Sequence, residues 1–228
     1  QEGNLVEMEY DRSFVSARYT YYKQERIIKR EFYEYDTAGC LVRLSSDDGS
    51  AKDRKSLKDV TRLYSTTIEP RREAPHFGES LKKVHKIWTP SLGYRRILTE
   101  YFTRDSSGKV LSHKEHFYDG LEKVTSYRYD SSDRIIETIL PDGTFERCSY
   151  DPISGLITEK SYPSKKVIYT YDLCSRLISE KEVFPDSSSL ETTIDYDESG
   201  RRTTVRDSHG SKKVVEKDLL GRVVLKKF

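Results

Sequence analysis

The chain has 228 residues, 34% charged and 35% hydrophobic, with 40 basic against 38 acidic side chains and a net charge of +2. Its 53 Leu, Ile, Val and Phe residues sit near the compositional edge of disorder, but disorder also needs high net charge and few aromatics, and 17 tyrosines are present. No apolar run approaches the roughly 18 residues of a membrane span, no stretch gathers basic residues for nucleic acid, and Gln1–Leu5 shows no signal-peptide pattern.

In chain order, the first clear feature is Tyr33-Glu34-Tyr35-Asp36-Thr37-Ala38-Gly39-Cys40-Leu41, a copy of Tyr-x-Tyr-Asp-x-x-Gly-Arg-Leu whose aspartate follows Asp11 by 25 residues. Asp48-Gly49 then reads as a turn. Residues 49–103 are less regular. Asp59 and Pro70 stand 11 apart, as Asp130 and Pro141 do, so a degraded unit is expected there. Residues 60–68 read as a strand from their β-branched content; the alternative is two helical turns over 56–64, with Leu57, Val60 and Tyr64 on one face. Residues 69–78, with Pro70, Pro75 and Gly78, are the expected irregular connection. Residues 84–88 and 94–102 then form a hairpin turning at 89–93, with Trp88 as a packing anchor.

From Asp105 the pattern is regular. Asp105 leads to Gly108, and Tyr127-Arg128-Tyr129-Asp130 leads to Arg134. Tyr150-Asp151 follows with Gly155, then Tyr169-Thr170-Tyr171-Asp172 with Arg176. Tyr196-Asp197 with Gly200 and Asp218 with Gly221 complete the series. The aspartates are spaced 25, 21, 21, 25 and 21 residues apart. Between them lie second turn signals at Asp119-Gly120, Pro141-Asp142-Gly143, Pro185-Asp186 and His209-Gly210. Each unit is two short strands and two turns. The longer units add two residues to each half, the side-chain period of a strand, so both strands lengthen without turning any residue to the other face.

The expected architecture is all-β: tandem hairpins in a long, strongly curved antiparallel sheet. Hairpin repeats are expected over 1–69, an irregular connection and the start of a hairpin over 70–93, and regular repeats over 94–228. Nine or ten units imply roughly 16 to 20 strands, a strip that must twist.

The recurring aspartate reads as a turn residue accepting backbone N–H bonds, with glycine in the left-handed conformation. That role is assigned to Asp36, Gly39, Asp105, Gly108, Asp130, Asp151, Gly155, Asp172, Asp197, Gly200, Asp218 and Gly221. Asp133 and Ser175 replace the glycine in two copies, and the turn with Ser175 is expected to be the more strained. The tyrosines one and three residues before the aspartate share a strand face. They are expected to align in rows, Tyr127 and Tyr129 near Tyr169 and Tyr171, a stripe that either packs or offers rings to sugars.

Cys40, Cys148 and Cys174 are odd in number and form no Cys-x-x-Cys, which argues against disulfides or zinc. Phosphate-loop, nucleophile-elbow and zinc-helix motifs are missing. His113 and His116 fall on opposite faces of a strand, and Asp195-x-Asp197 lacks the later acidic ligand of a calcium loop. No cofactor, metal or catalytic residue is expected.

The repeat resembles that of the YD-repeat, or rearrangement-hotspot (Rhs), family, most strongly over residues 127–224 and again at 33–41. The resemblance implies a β-strip that spirals into a hollow shell, which in bacterial members encloses a C-terminal toxin domain. Asp151-Pro152-Ile153-Ser154-Gly155-Leu156 is similar to the family's self-cleaving segment, but another unit follows it, so it reads as a repeat with one extra turn residue. The chain resembles an internal segment of a larger, secreted or cell-surface protein. The partners implied are further repeats or an intramolecular cargo, and alternatively a glycan or cell-surface partner.

Overall fold

The computed structural model describes residues 4–227 except Gln24, Lys52, Lys58 and Pro75. Pro75, counted in the expected connection, and Gln1–Gly3 therefore lie outside the described residues.

Among the described residues there are eighteen strands and no helix. They fall in two compact units, Gln1–Thr125 and Ser126–Phe228. The first holds β1 (Leu5–Asp11), β2 (Phe14–Tyr22), β3 (Arg26–Tyr35), β4 (Leu41–Asp47), β5 (Leu63–Pro70), β6 (Ser80–Thr89), β7 (Gly93–Arg104), β8 (Val110–Phe117) and the start of β9 (Glu122–Tyr129). The second holds the rest of β9, then β10 (Ile135–Ile139), β11 (Phe145–Tyr150), β12 (Ile157–Ser161), β13 (Lys166–Tyr171), β14 (Leu177–Val183), β15 (Ser189–Tyr196), β16 (Arg202–Asp207), β17 (Lys212–Lys217) and β18 (Val223–Lys227). Sequential strands pair antiparallel from β1 to β8, and again from β9 to β18.

The two-residue increments appear in the strands. The 21-residue units starting at Asp130 and Asp151 each have strands of 5 and 6 residues. The 25-residue unit starting at Asp172 has strands of 7 and 8.

The second unit is thinly cored. Val167, Val214 and Glu137 are its buried side chains, and most strand positions are half-exposed. The first unit buries more. A row in register, Tyr19, Arg30, Asp47, Leu63 and Trp88, crosses β2 to β6 on one face. Residues 48–62 cover it, and Val60 is 2% exposed.

That cover corrects three expectations. Asp48-Gly49 opens this long loop instead of a tight turn, because the buried Asp47 carboxylate takes the Gly49 N–H at 2.8 Å. The strand expected over 60–68 begins at Leu63. Thr61 is held in the loop by its N–H to Ser50 Oγ at 3.2 Å and its hydroxyl to Asp48. Asp59 and Pro70 bracket no repeat unit: Asp59 is a loop residue with φ 62°, and Pro70 ends β5. The connection from β5 to β6 closes through Arg71 N–H to Glu79 O at 2.7 Å and Gly78 N–H to Arg71 O at 2.9 Å.

Candidate functional site

The chain's most distinctive chemistry is at the repeated turns. At Asp130 the backbone closes by Asp133 N–H to Asp130 O (3.1 Å) and Asp130 N–H to Arg134 O (3.0 Å). Asp130 Oδ1 accepts the N–H groups of Ser132 and Arg134 at 2.8 and 3.0 Å. The same bonds recur at Asp36, Asp105, Asp172 and Asp218. They hold each carboxyl below the ordinary aspartate range, with the N–H four residues on as the leading cause at Asp36, Asp130, Asp172 and Asp218. At Asp105 the Ser107 hydroxyl leads instead.

The position three residues after the aspartate is left-handed throughout: Gly39, Gly108 and Gly221 where glycine is kept, Asp133 (φ 66°) and Ser175 (φ 62°) where it is lost. At Asp151 the loop carries one extra residue, closing by Asp151 N–H to Leu156 O at 2.8 Å. Asp197 does the same through Arg202 O at 3.0 Å, an insertion the spacing did not reveal.

The mid-unit turns share this backbone. Gly120, Gly143, Ser187 and Gly210 each donate to the residue three before, Phe117, Leu140, Phe184 and Asp207. Their dipeptides are visible in the sequence but their identity with the aspartate turns is not, because only Asp207 keeps the acid at the first position. Its Oδ1 accepts from His209 and Ser211 N–H at 3.0 and 2.8 Å.

Arginine and tyrosine join one turn to the next. Arg134 Nε donates to its own Asp130 Oδ2 at 2.8 Å, and its guanidinium lies 4.4 Å from the Tyr150 ring of the following motif. The Tyr150 hydroxyl returns to Ile135 O, one residue past Arg134, at 2.8 Å. Arg176 repeats this with Asp172 at 2.7 Å and the Tyr196 ring at 4.5 Å, and Tyr196 donates to Leu177 O at 3.0 Å. Leu156 stands at the arginine position of the intervening copy, where Tyr171 keeps only its bond to Ile157 O at 2.9 Å. Each tyrosine therefore stands opposite the preceding motif's arginine position. The strand register breaks just before it, between Ser149 and Tyr150 and between Thr170 and Tyr171, as a one-residue bulge requires. We call this three-part contact the staple.

The expected tyrosine rows are placed differently. Tyr127 and Tyr129 lie on β9, and Tyr169 and Tyr171 on β13, four strands on in pairing order, with β11 carrying Cys148 and Tyr150 at the matching positions. Each repeat inserts two strands, so equivalent tyrosines alternate with strands of the other kind. The Tyr171 hydroxyl is also committed to the staple.

Elsewhere, Glu100 bridges two histidines, His85 Nε2 at 2.5 Å and His113 Nε2 at 2.9 Å, and His85 Nδ1 meets Thr66 Oγ1 at 2.9 Å. Burial pushes the Glu100 carboxyl up, but the hydrogen bond and charge of His85, the charge of Lys83 and the His113 hydrogen bond together hold the group low. His116 faces Glu122 instead, at 3.8 Å. Among the described residues no group of three His, Cys, Asp or Glu side chains is placed to hold a metal. Cys40, Cys148 and Cys174 are free thiols. A recess of about 550 Å³ is lined by Phe14, Tyr33, Tyr35, Asp11, Glu34 and Asp36, among others.

No family model matches the chain, and no curated protein sequence matches it. Among solved structures, it is similar over 98% of its length to a chain of the TcdB2-TccC3-Cdc42 crystal structure, at 15% identity and a TM-score of 0.49. A chain of TcdB2-TccC3 without the hypervariable C-terminal region is similar over the same share, at 14% identity and a TM-score of 0.48. The Photorhabdus luminescens Tc holotoxin pore is similar over 92% of this chain, at 12% identity and a TM-score of 0.34. The chain spans 15% of the length of each of the first two and 16% of the third.

Proposed function

We propose that this chain is a non-catalytic wall segment of a YD-repeat β-shell that encloses or presents an effector domain of a secreted or cell-surface protein. The observation that carries the reading is the staple. Where it is complete, at Arg134–Tyr150 and Arg176–Tyr196, it ties one aspartate turn to the next through turn-end contacts rather than through a buried core, so the second unit extends by repetition without a second layer. The side chains that recur in register, Asp, Arg and Tyr, are spent on this contact, which favours architecture over chemistry as their role.

The test is the mass of the native polypeptide carrying this segment, with peptides mapped on both sides. A chain several times longer, ending in a non-repeated domain protected from protease while the wall is intact, is the expected result. A native chain of this size, or a wall cut as readily as a linker, overturns it.

A second reading, a glycan-binding module, is favoured only by the Phe14–Tyr33–Tyr35 recess, where rings and carboxylates sit together as sugar contacts require. Glycan-array binding lost on Tyr33→Ala would support it, and an array without signal would remove it.

A further inference from the structure

We propose that a second recess, between the covering loop and the sheet of the first unit, binds a tetrahedral oxyanion of the sulfate class. This goes beyond the wall reading and rests on other residues.

Strand register sets the floor of the recess. Ser45, Ser65 and Lys86 stand opposite one another on β4, β5 and β6, and Arg43 stands opposite Thr67 in the next row. Ser45, Ser65 and Lys86 each lie two residues from a member of the Asp47–Leu63–Trp88 row, and Arg43 and Thr67 two residues further. All five side chains therefore project to the face that residues 48–62 partly cover. Paired positions are about 5 Å apart and successive rows about 7 Å, so the five donors lie within reach of one small group. The recess holds about 290 Å³ and is walled by Leu57 of the loop and Tyr94 of β7, with Glu34 completing it.

The floor is polar and short of partners. Ser45 and Ser65 are 3% and 9% exposed, and burying a hydroxyl without a hydrogen bond is unfavourable. Among the described residues neither serine makes a side-chain hydrogen bond and Lys86 makes no ion pair. What each serine leaves accessible opens into the recess, and Lys86 is exposed beside them. Arg43 meets Glu34 through Nη1 alone, at 3.2 and 3.4 Å, so its Nε and Nη2 remain for a ligand.

This donor set selects the ligand. Two cations against one carboxylate leave the recess at +1, a charge that a neutral ligand would not answer. Three hydroxyls, a guanidinium and an ammonium approach from several sides, which suits four tetrahedral oxygens better than the two of a carboxylate. A sulfate ester carries one negative charge and a phosphate ester nearly two, so sulfate matches the balance. Tyr94, 61% exposed, offers a ring face to whatever carries the ester.

The experiment is a proton–nitrogen NMR titration of the 228-residue chain with glucose 6-sulfate, glucose and inorganic sulfate at matched ionic strength. With glucose 6-sulfate the amides of Arg43, Ser45, Ser65, Thr67 and Lys86 are expected to shift together and saturate, with a midpoint of about 1 mM. Arg43→Gln and Lys86→Gln should each weaken binding about tenfold, and Ser45→Ala and Ser65→Ala about fivefold. Circular dichroism verifies that the variants keep the fold. The serine variants should unfold at the same urea concentration as wild type, whereas serines that serve the fold would lose stability. Tighter binding of glucose 6-sulfate than of inorganic sulfate supports the site with the ester as its ligand, and equal binding supports it with the free ion. The proposal is overturned by shifts that do not saturate or that scatter over the surface cations, by glucose binding as tightly as its sulfate, by variants that bind like wild type, or by serine variants that unfold earlier. None of these outcomes bears on the length of the native polypeptide, so the wall reading stands or falls separately.

Discussion

Replacing Arg30 tests what holds the covering loop onto the sheet of the first unit. Its side chain is 1% exposed and that of Asp47 0%, with Nε to Oδ1 at 2.9 Å and Nη2 to Oδ2 at 2.8 Å. Nη1 also donates to Asp53 O and Arg54 O at 2.7 and 2.9 Å, so one guanidinium fastens both β4 and the loop. Arg30→Ala leaves the Asp47 carboxylate shut in with the Gly49 N–H and strips a donor from two loop carbonyls. Removing one partner of a buried pair costs about 3–5 kcal/mol, a large share of the roughly 5–15 kcal/mol that keeps a domain folded. We expect about 4 kcal/mol, since the loop carbonyls regain water when the loop lifts. The double change Arg30→Met with Asp47→Leu removes both charges and should recover about half of that or more. Trp88, the only tryptophan, ends the same row opposite Leu63, so its fluorescence in urea reports this unit. Trypsin adds a second readout, because a lifted loop frees Arg54, which is 34% exposed and lies 3.9 Å from the Tyr19 ring. A loss below about 1 kcal/mol for Arg30→Ala, or a double variant no better than the single, refutes the reasoning.

Tyr171→Phe should cost about 0.5–1.5 kcal/mol by urea unfolding, the worth of its one hydroxyl bond to Ile157 O. Tyr196→Leu should cost more than Tyr171→Leu, because only Tyr196 also carries an arginine on its ring. Ser175→Gly and Ser187→Gly should each raise stability by about 0.5–1 kcal/mol, since a left-handed L-residue costs about 1–2 and glycine's extra unfolded freedom returns about half. Gly143→Ala, where a Cβ meets nothing within 4 Å, should lower it through φ alone. The turn aspartates have folded pKa values below their unfolded ones, so their stabilisation is complete above the ordinary value of 3.8 and is lost as pH falls through the lower folded values. Circular dichroism from pH 7 to pH 2 should therefore be flat down to about 4 and then fall steeply, and a transition centred near 6 would contradict this.

The fold class was legible because turn residues recur at spacings that differ by a strand period, and neither aspartate position nor strand phase depends on distant contacts. Asp133 and Ser175 could be read as left-handed from the motif alone, whereas Ser187 could not, because its turn begins at Phe184 without the acid. The loop over residues 48–62 was hidden for a different reason. Its anchor is a charged pair on strands, and a lone sequence assigns Arg30 and Asp47 to the wet face by default. The staple was half legible. Tyrosine, aspartate and arginine were all visible in the motif, but the arginine's partner is the tyrosine of the next copy, 16 to 20 residues on, and only the paired register shows that they meet.

The staple explains why the motif holds these letters together. Aspartate organises its own turn through Oδ1 and aims the arginine through Oδ2, and the arginine receives the next tyrosine. That tyrosine caps a carbonyl at the start of the arginine's own strand. Removing any one leaves the others with less to do, so the unit of architecture is the junction between hairpins rather than the hairpin. The junctions are not equal. Leu156 removes the arginine from one, and Lys217 stands where the next tyrosine would be in another, held by its N–H to Arg201 O at 3.0 Å. In a single-layer sheet with few buried side chains, those two junctions rest on backbone pairing, one hydroxyl at most and one exposed ion pair each, Lys166–Glu159 at 3.3 Å and Arg202–Glu216 at 3.4 Å, which adds little. Stability that is a sum of nearest-neighbour terms is lowest where a term is missing, so opening of the second unit begins at these two seams and not at the tips of its hairpins.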